Sequence, residues 1–133
     1  MKNQVFAGPP TAPRFSLCPS TVKAGDLVLI GTAPACALND YQSNTGGATF
    51  YYEGTFTGTV IAVSQISPPV NVALGPGAAL YATGTLDGTT NVTTGLTISG
   101  ASTGTSFGRI DMTGPGLASG TTNTATNIRL GLS

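Results

Sequence analysis

Apolar and polar side chains alternate along much of the chain, most clearly in GGATFYYEGTFTGTVIAVSQISPP, residues 46–69. One parity of this stretch carries apolar residues such as Phe56 and Val60, whereas the other is rich in threonine. A period of two residues is that of a β-strand with one apolar and one polar face. The stretch therefore predicts one or two strands, with Gly54 or Gly58 available for a bulge or a bend.

Short apolar runs between turn signals predict the other strands. They lie at residues 26–31, 33–38, 70–74, 78–82, 96–98, 106–112 and 127–132. Asp87-Gly88 predicts a hairpin with a tight two-residue turn, because glycine tolerates the positive φ that such a turn requires. No window of eleven or more residues has a helical period. The chain is therefore predicted to be all-β, with a small β-barrel or β-sandwich (β-tulip-like) body.

The first twenty residues differ from the rest. Residues 1–20 contain four of the nine prolines and have no strand or helix period. Proline removes backbone donors and favours extended geometry, so the segment is predicted to be an extended N-terminal arm, followed by a single β domain at residues 21–133. The arm has no core of its own, so its apolar residues are the candidate interface residues: Val5, Phe6, Pro9, Pro10, Phe15 and Leu17.

The surface predicted by the composition is poor in ions. Charged residues make up only 8% of the chain, against the usual share of about 25%, and the formal net charge is zero. Few charges have to be desolvated when such a surface docks against a neighbour, which favours a protein that works in packed assemblies. The charges are scattered singly, so no basic patch for nucleic acid is expected.

No apolar run is long enough to span a membrane, and MKNQVFAGPP has prolines where a signal peptide needs its apolar segment. Synthesis in the cytoplasm is therefore expected. In that compartment two cysteines are more often free and reduced, although a bond between Cys18 and Cys36 is the alternative.

The residues that commonly perform catalysis are scarce. The chain has no histidine, no CxxC pair and no G-x-S-x-G sequence. A two-carboxylate hydrolase using a pair such as Glu53 and Asp111 is formally open, but isolated acids such as Asp40 and Asp87 commonly cap turns. ALNDYQSN lacks the ligand spacing of a calcium loop. We therefore expect no enzyme activity, no cofactor and no metal.

Tyrosines suggest one alternative function. Tyr51, Tyr52 and Tyr81 could stack on sugar rings in a carbohydrate- or receptor-binding module, if the three rings are exposed and converge. A tail-tube or connector subunit is a further all-β alternative.

Several segments of the chain also fit a known pattern. They are VKAGDLVLIG at 22–31, EGTFTGTV at 53–60, ALGPGAALYATGTLDG at 73–88, GTSFGRIDMTG at 104–114 and NIRLGLS at 127–133. In their order and spacing they resemble the small capsid cement, or head decoration, proteins of tailed bacteriophages. The N-terminal arm is longer and richer in proline than this family's pattern.

The resemblance implies a structural virion protein on the outside of a phage capsid. Such a protein is made in the host cytoplasm, has the major capsid protein as its partner, associates as a homotrimer and clamps neighbouring capsid subunits without catalysis. Neither nucleic acid nor membrane is among the expected partners.

Overall fold

The computed structural model describes residues 13–112 and 115–130, which form strands and no helix, and this confirms the all-β prediction. The strands are β1 (Arg14–Leu17), β2 (Leu27–Ile30), β3 (Ala33–Ala37), β4 (Gly47–Tyr51), β5 (Gly54–Ile61), β6 (Val63–Gln65), β7 (Val70–Asn71), β8 (Ala79–Asp87), β9 (Val92–Ser99), β10 (Thr105–Ile110) and β11 (Thr122–Leu130).

Five strands close into a barrel in the order β9, β5, β11, β10, β8, with β8 pairing back to β9. The β5–β9 pair is parallel, and the other four pairs are antiparallel. Aromatic and branched side chains fill the interior, and the largest are fully buried: Phe56, Val60, Leu80, Phe107, Ile110, Ile128 and Leu130. Of the two architectures that the sequence left open, the chain adopts the barrel.

Strands β2, β3, β4 and β1 extend the sheet from the N-terminal end of β9, where Val92 and Thr93 pair with β2. This extension has a core of its own, made of Cys18, Val22, Val28, Ala35, Ala37, Ala48, Phe50 and Val92. Strands β2 and β3 alternate between this core and that of the barrel, since Val28 faces one and Leu29 the other. Because both faces are covered, these strands are continuous apolar runs.

The aromatic-rich stretch forms three strands, β4, β5 and the short β6, where one or two were predicted. The chain turns between β4 and β5 at Gly54, which has a φ of 123°. Phe50 in β4 is buried in the core of the extension, whereas Phe56 in β5 is buried in the barrel. One uninterrupted alternation in the sequence therefore serves two separate cores. A bulge or bend was predicted at Gly54 or Gly58: the bend occurs at Gly54, and the register between β5 and β11 shifts between Gly58 and Val60.

The hairpin predicted at Asp87-Gly88 joins β8 and β9, but its turn is longer than predicted. Asp87 pairs with Val92, so the loop contains four residues, 88–91, and the positive φ of 60° belongs to Asn91. The Thr90 amide donates to the Asp87 carboxylate at 3.2 Å, and the Thr90 hydroxyl donates to the same oxygen. These side-chain bonds stabilise the longer loop, which explains the difference.

Candidate functional site

The candidate interface residues Phe15 and Leu17 lie in β1, the terminal strand of the described sheet. Within the described residues, strand β1 pairs with β4 alone, in an antiparallel register that places Phe15 opposite Thr49 and Leu17 opposite Gly47. The other four candidates, Val5, Phe6, Pro9 and Pro10, lie outside the described residues. The described part of the predicted arm thus contributes an edge strand.

Two residues of β1, Phe15 and Leu17, direct their backbone N–H and C=O groups toward the open edge of the sheet. Thr49 N–H donates to Asn39 Oδ1 at 2.9 Å, and Thr49 C=O accepts from Leu38 N–H at 2.8 Å, so both groups point away from β1. Phe15 and Thr49 therefore form a non-hydrogen-bonded pair, in which the backbone groups of the two residues point away from each other. The N–H and C=O groups of Phe15 thus point away from β4, toward the open edge of the sheet. The backbone groups of Leu17 point the same way, because the direction repeats every second residue of a strand. Neither side chain is covered by the described residues, since Phe15 is 53% and Leu17 is 52% exposed.

Two glycines, Gly46 and Gly47, lie directly against this strand. A Cβ atom on Gly47 would overlap the Ser16 carbonyl oxygen and lie 2.8 Å from Leu17 Cα, so only glycine permits this approach of β1 to β4. Next to it, Cys18 N–H donates to Gly46 C=O at 3.3 Å. The Leu17 side chain lies over Gly46, 3.5 Å from the position of a Cβ there. The glycine pair thus fixes β1 and presents its apolar side chains outward.

The other two residues of β1 lie beside buried residues of β4. Arg14 pairs with Phe50 and Ser16 with Ala48, both of which are buried. Burial raises the pKa of the Tyr52 phenol, and the nearby positive charge of Arg14 partly offsets this rise. Strand β1 therefore has one face beside the core of the extension and one that the described residues leave uncovered.

The tyrosines proposed as a sugar platform are divided between the two cores. The Tyr51 ring stacks on Phe56, with ring centroids 6.1 Å apart, and packs against the barrel core. The Tyr52 ring packs against the core of the extension. Tyr81 is half-buried in β8. Tyr51 and Tyr52 thus do not form one exposed platform.

The acidic residues in loops have structural roles. Asp26 accepts from Lys23 N–H at 3.0 Å, and Asp40 accepts from Ala24 N–H at 2.8 Å. The hydrogen bond from the Thr90 hydroxyl lowers the pKa of Asp87. The turn-capping role expected for Asp40 and Asp87 matches these bonds. Among the described residues, no group of three or more histidine, cysteine or acidic side chains is arranged to hold a metal.

Both cysteines are buried, and they are not joined in a disulfide. Cys18 belongs to the core of the extension and Cys36 to that of the barrel. Burial raises the pKa of the Cys18 thiol, which lowers its reactivity because the thiolate is the reactive form.

A cleft of about 320 Å³ opens where β9 leaves β2 and joins β5. Its rim carries the hydroxyls of Thr57, Thr59 and Thr94 and the carboxylate of Asp26. Among its described lining residues there is one carboxylate and no histidine or cysteine, so the cleft offers hydrogen bonds and no pair of groups for acid–base catalysis.

The sequence signal for β1 as a strand was weak, because RFSL is short and stands between prolines. Gly46-Gly47 was a usable signal, since paired glycines often mark close backbone approach. Within the described part of the chain, no helix has the length and apolarity needed to cross a bilayer. No family model matches the sequence, and no curated protein and no solved structure is significantly similar to it.

Proposed function

We propose that this protein is a structural adhesion protein of a phage virion, which binds the outer surface of the capsid and clamps neighbouring capsid subunits. The observation that carries the proposal is the edge strand β1, with Phe15 and Leu17 more than half exposed and their backbone groups directed outward. In this proposal the partner is the major capsid protein, and the protein acts without catalysis.

The mode of binding follows from the geometry of the edge. An extended segment of the partner adds to β1 as a further strand, which satisfies the outward backbone groups. The Leu17 carbonyl already accepts from the Ser16 hydroxyl at 3.0 Å and has a second lone pair for the partner. Burial of Phe15 and Leu17 contributes about 1.5–3 kcal/mol each if it is complete.

Adhesion of this kind gains strength from repetition. One short edge binds weakly, but copies on a lattice engage neighbouring subunits together, and the effective concentration of each second contact is high. The sparse charge favours this use, since little desolvation of ions opposes docking. Copies linked to one another, such as the homotrimer implied by the resemblance, bind more tightly than single chains.

The test replaces the outward side chains and leaves the fold in place. We expect Phe15→Ser combined with Leu17→Ser to weaken co-sedimentation with empty shells of the same phage by at least about tenfold, because apolar burial is lost. Leu86→Ser is the matched control, because Leu86 is 58% exposed on the β8–β9 hairpin. Shell occupancy of the double variant equal to that of the unchanged chain would contradict the proposal.

A further inference from the structure

The cleft of about 320 Å³ lies between β2, β5 and β9, where these strands separate from one another. Strand β9 pairs with β2 through its first two residues and with β5 through its last two. Between these pairings β9 carries a bulge, because Gly95 and Leu96 lie opposite the single residue Gly84 of β8. A bulge bends its strand, and bulges are frequent beside functional sites. The strand pairing itself therefore holds the cleft open.

Two glycines shape the inside of the cleft. Gly95 has a φ of 64°, which favours glycine, and a Cβ there would meet no atom within 4 Å. On the β5 side, a Cβ on Gly58 would lie 2.5 Å from Leu27 Cδ1. Leu27 also packs against the barrel core, so it closes the floor of the cleft. The cleft is thus open at Gly95 and closed at Gly58.

The cleft combines an apolar floor with a rim of hydroxyl groups. Leu27 and Leu96 are half-buried and pack against the barrel core, which includes Ile98. Thr59 and Thr94 line the cleft beside them. Small-molecule sites have this composition, with an apolar surface and a few placed polar groups. A sugar ring has the same division, since its faces carry C–H groups and its edge carries hydroxyls.

Asp26 is the one charged residue among the described lining residues, and its position is fixed. Its carboxylate accepts from Lys23 N–H at 3.0 Å, and its own N–H donates to Lys23 C=O at 3.0 Å. Its C=O accepts from Ala37 N–H at 2.9 Å. The second carboxylate oxygen can accept hydrogen bonds from ligand hydroxyls. Such charge-assisted bonds are stronger than those between neutral groups.

We propose that the cleft binds a neutral sugar, as a single pyranose ring of a glycan. An anionic ligand would be repelled by Asp26, and an ammonium group would gain one solvent-exposed ion pair, which contributes little. A neutral ring bonds to Asp26, Thr59 and Thr94 through its hydroxyls while one of its faces covers the apolar floor. This site does not include Tyr51 or Tyr52, and the inference does not depend on binding to a capsid.

An NMR titration of the isotope-labelled full chain tests the proposal. The probes are the methyl glycosides of glucose, galactose, mannose and N-acetylglucosamine, and glycerol is the control for unspecific hydroxyl contacts. We expect at least one glycoside to shift the amide signals of Asp26, Thr59 and Gly95 along a saturating curve. The expected dissociation constant is on the order of 1 mM, because one ring has few atoms with which to bind.

The hydroxyls of the rim are tested by substitution. Thr59→Val combined with Thr94→Val should weaken binding at least about fivefold, because valine keeps the shape of threonine but leaves ligand hydroxyls without partners. Thr122→Val is the matched control, since Thr122 is exposed in β11 and does not line the cleft. It should leave the dissociation constant unchanged.

Three results would overturn the inference. They are the absence of a saturating shift with all four glycosides, equal shifts of the same amides by glycerol, and binding by the double variant as tight as that of the unchanged chain. Strands β3 and β4 lie between β2 and β1, so the double variant keeps the β1 edge. Shell binding measured on this variant therefore reports on the proposed function independently.

Discussion

At the scale of single residues, Thr55 differs from the other buried polar side chains. It is 1% exposed, and its hydroxyl has no hydrogen-bond partner among the described residues. Thr126, by contrast, is 4% exposed and its hydroxyl donates to the Asn123 carbonyl at 3.3 Å. A buried hydroxyl without a partner costs stability, whereas a bonded one contributes to it.

These two threonines form a matched pair for a stability measurement. We expect Thr55→Val to raise the free energy of unfolding by about 1 kcal/mol and Thr126→Val to lower it by about 1 kcal/mol. Valine keeps the shape of threonine, so packing is the same in both variants. Urea denaturation measures both values, and a loss of stability in Thr55→Val would show that its hydroxyl is bonded.

At the scale of elements, the sequence predicted most strands but not their partners. The alternation in residues 46–69 and the run LVLI identify β4, β5 and β2, because side-chain periodicity is local. Barrel closure depends on the parallel β5–β9 pair, which joins Val60 to Ile98, and no local pattern encodes that contact. Phe15 and Leu17 could be chosen as apolar residues in a coreless segment, but their outward orientation depends on the pairing with β4.

The attachment of β1 is itself testable. We expect Gly47→Ala to lower the free energy of unfolding by about 1–3 kcal/mol, because the new methyl group overlaps the Ser16 backbone and β1 must shift. Gly88→Ala is the control, because a Cβ there meets no atom within 4 Å. Its effect should stay below about 0.5 kcal/mol. Equal stability of the two variants in denaturation experiments would show that β1 does not pack closely against Gly47.

At the scale of the whole molecule, the two cores share strands β2, β3 and β9. Val92 belongs to the core of the extension and Ile98 to the barrel, so β9 connects them. Each core contains one cysteine, and the reactivity of the two thiols reports on how independently the cores open. Among the described strands, the outermost strand of the extension, β1, is paired on one side, whereas every barrel strand is paired on both.

Thiol labelling measures that independence. We expect both thiols to react far more slowly in the folded chain than in urea, and Cys18 to react faster than Cys36, because Cys18 directly follows β1. Gly47→Ala should accelerate Cys18 and leave Cys36 unchanged. Mass spectrometry of the labelled peptides distinguishes the two sites, and equal acceleration of both would show that the cores open as one unit.

The antiparallel pairing of β1 with β4 also gives this edge a mechanical direction. A force applied along β1 loads the hydrogen bonds between β1 and β4 together, in shear, because they run perpendicular to the strand. A force applied across the edge breaks the same bonds one after another. A protein anchored through this strand therefore resists the lateral stretching of an expanding surface better than it resists being lifted away.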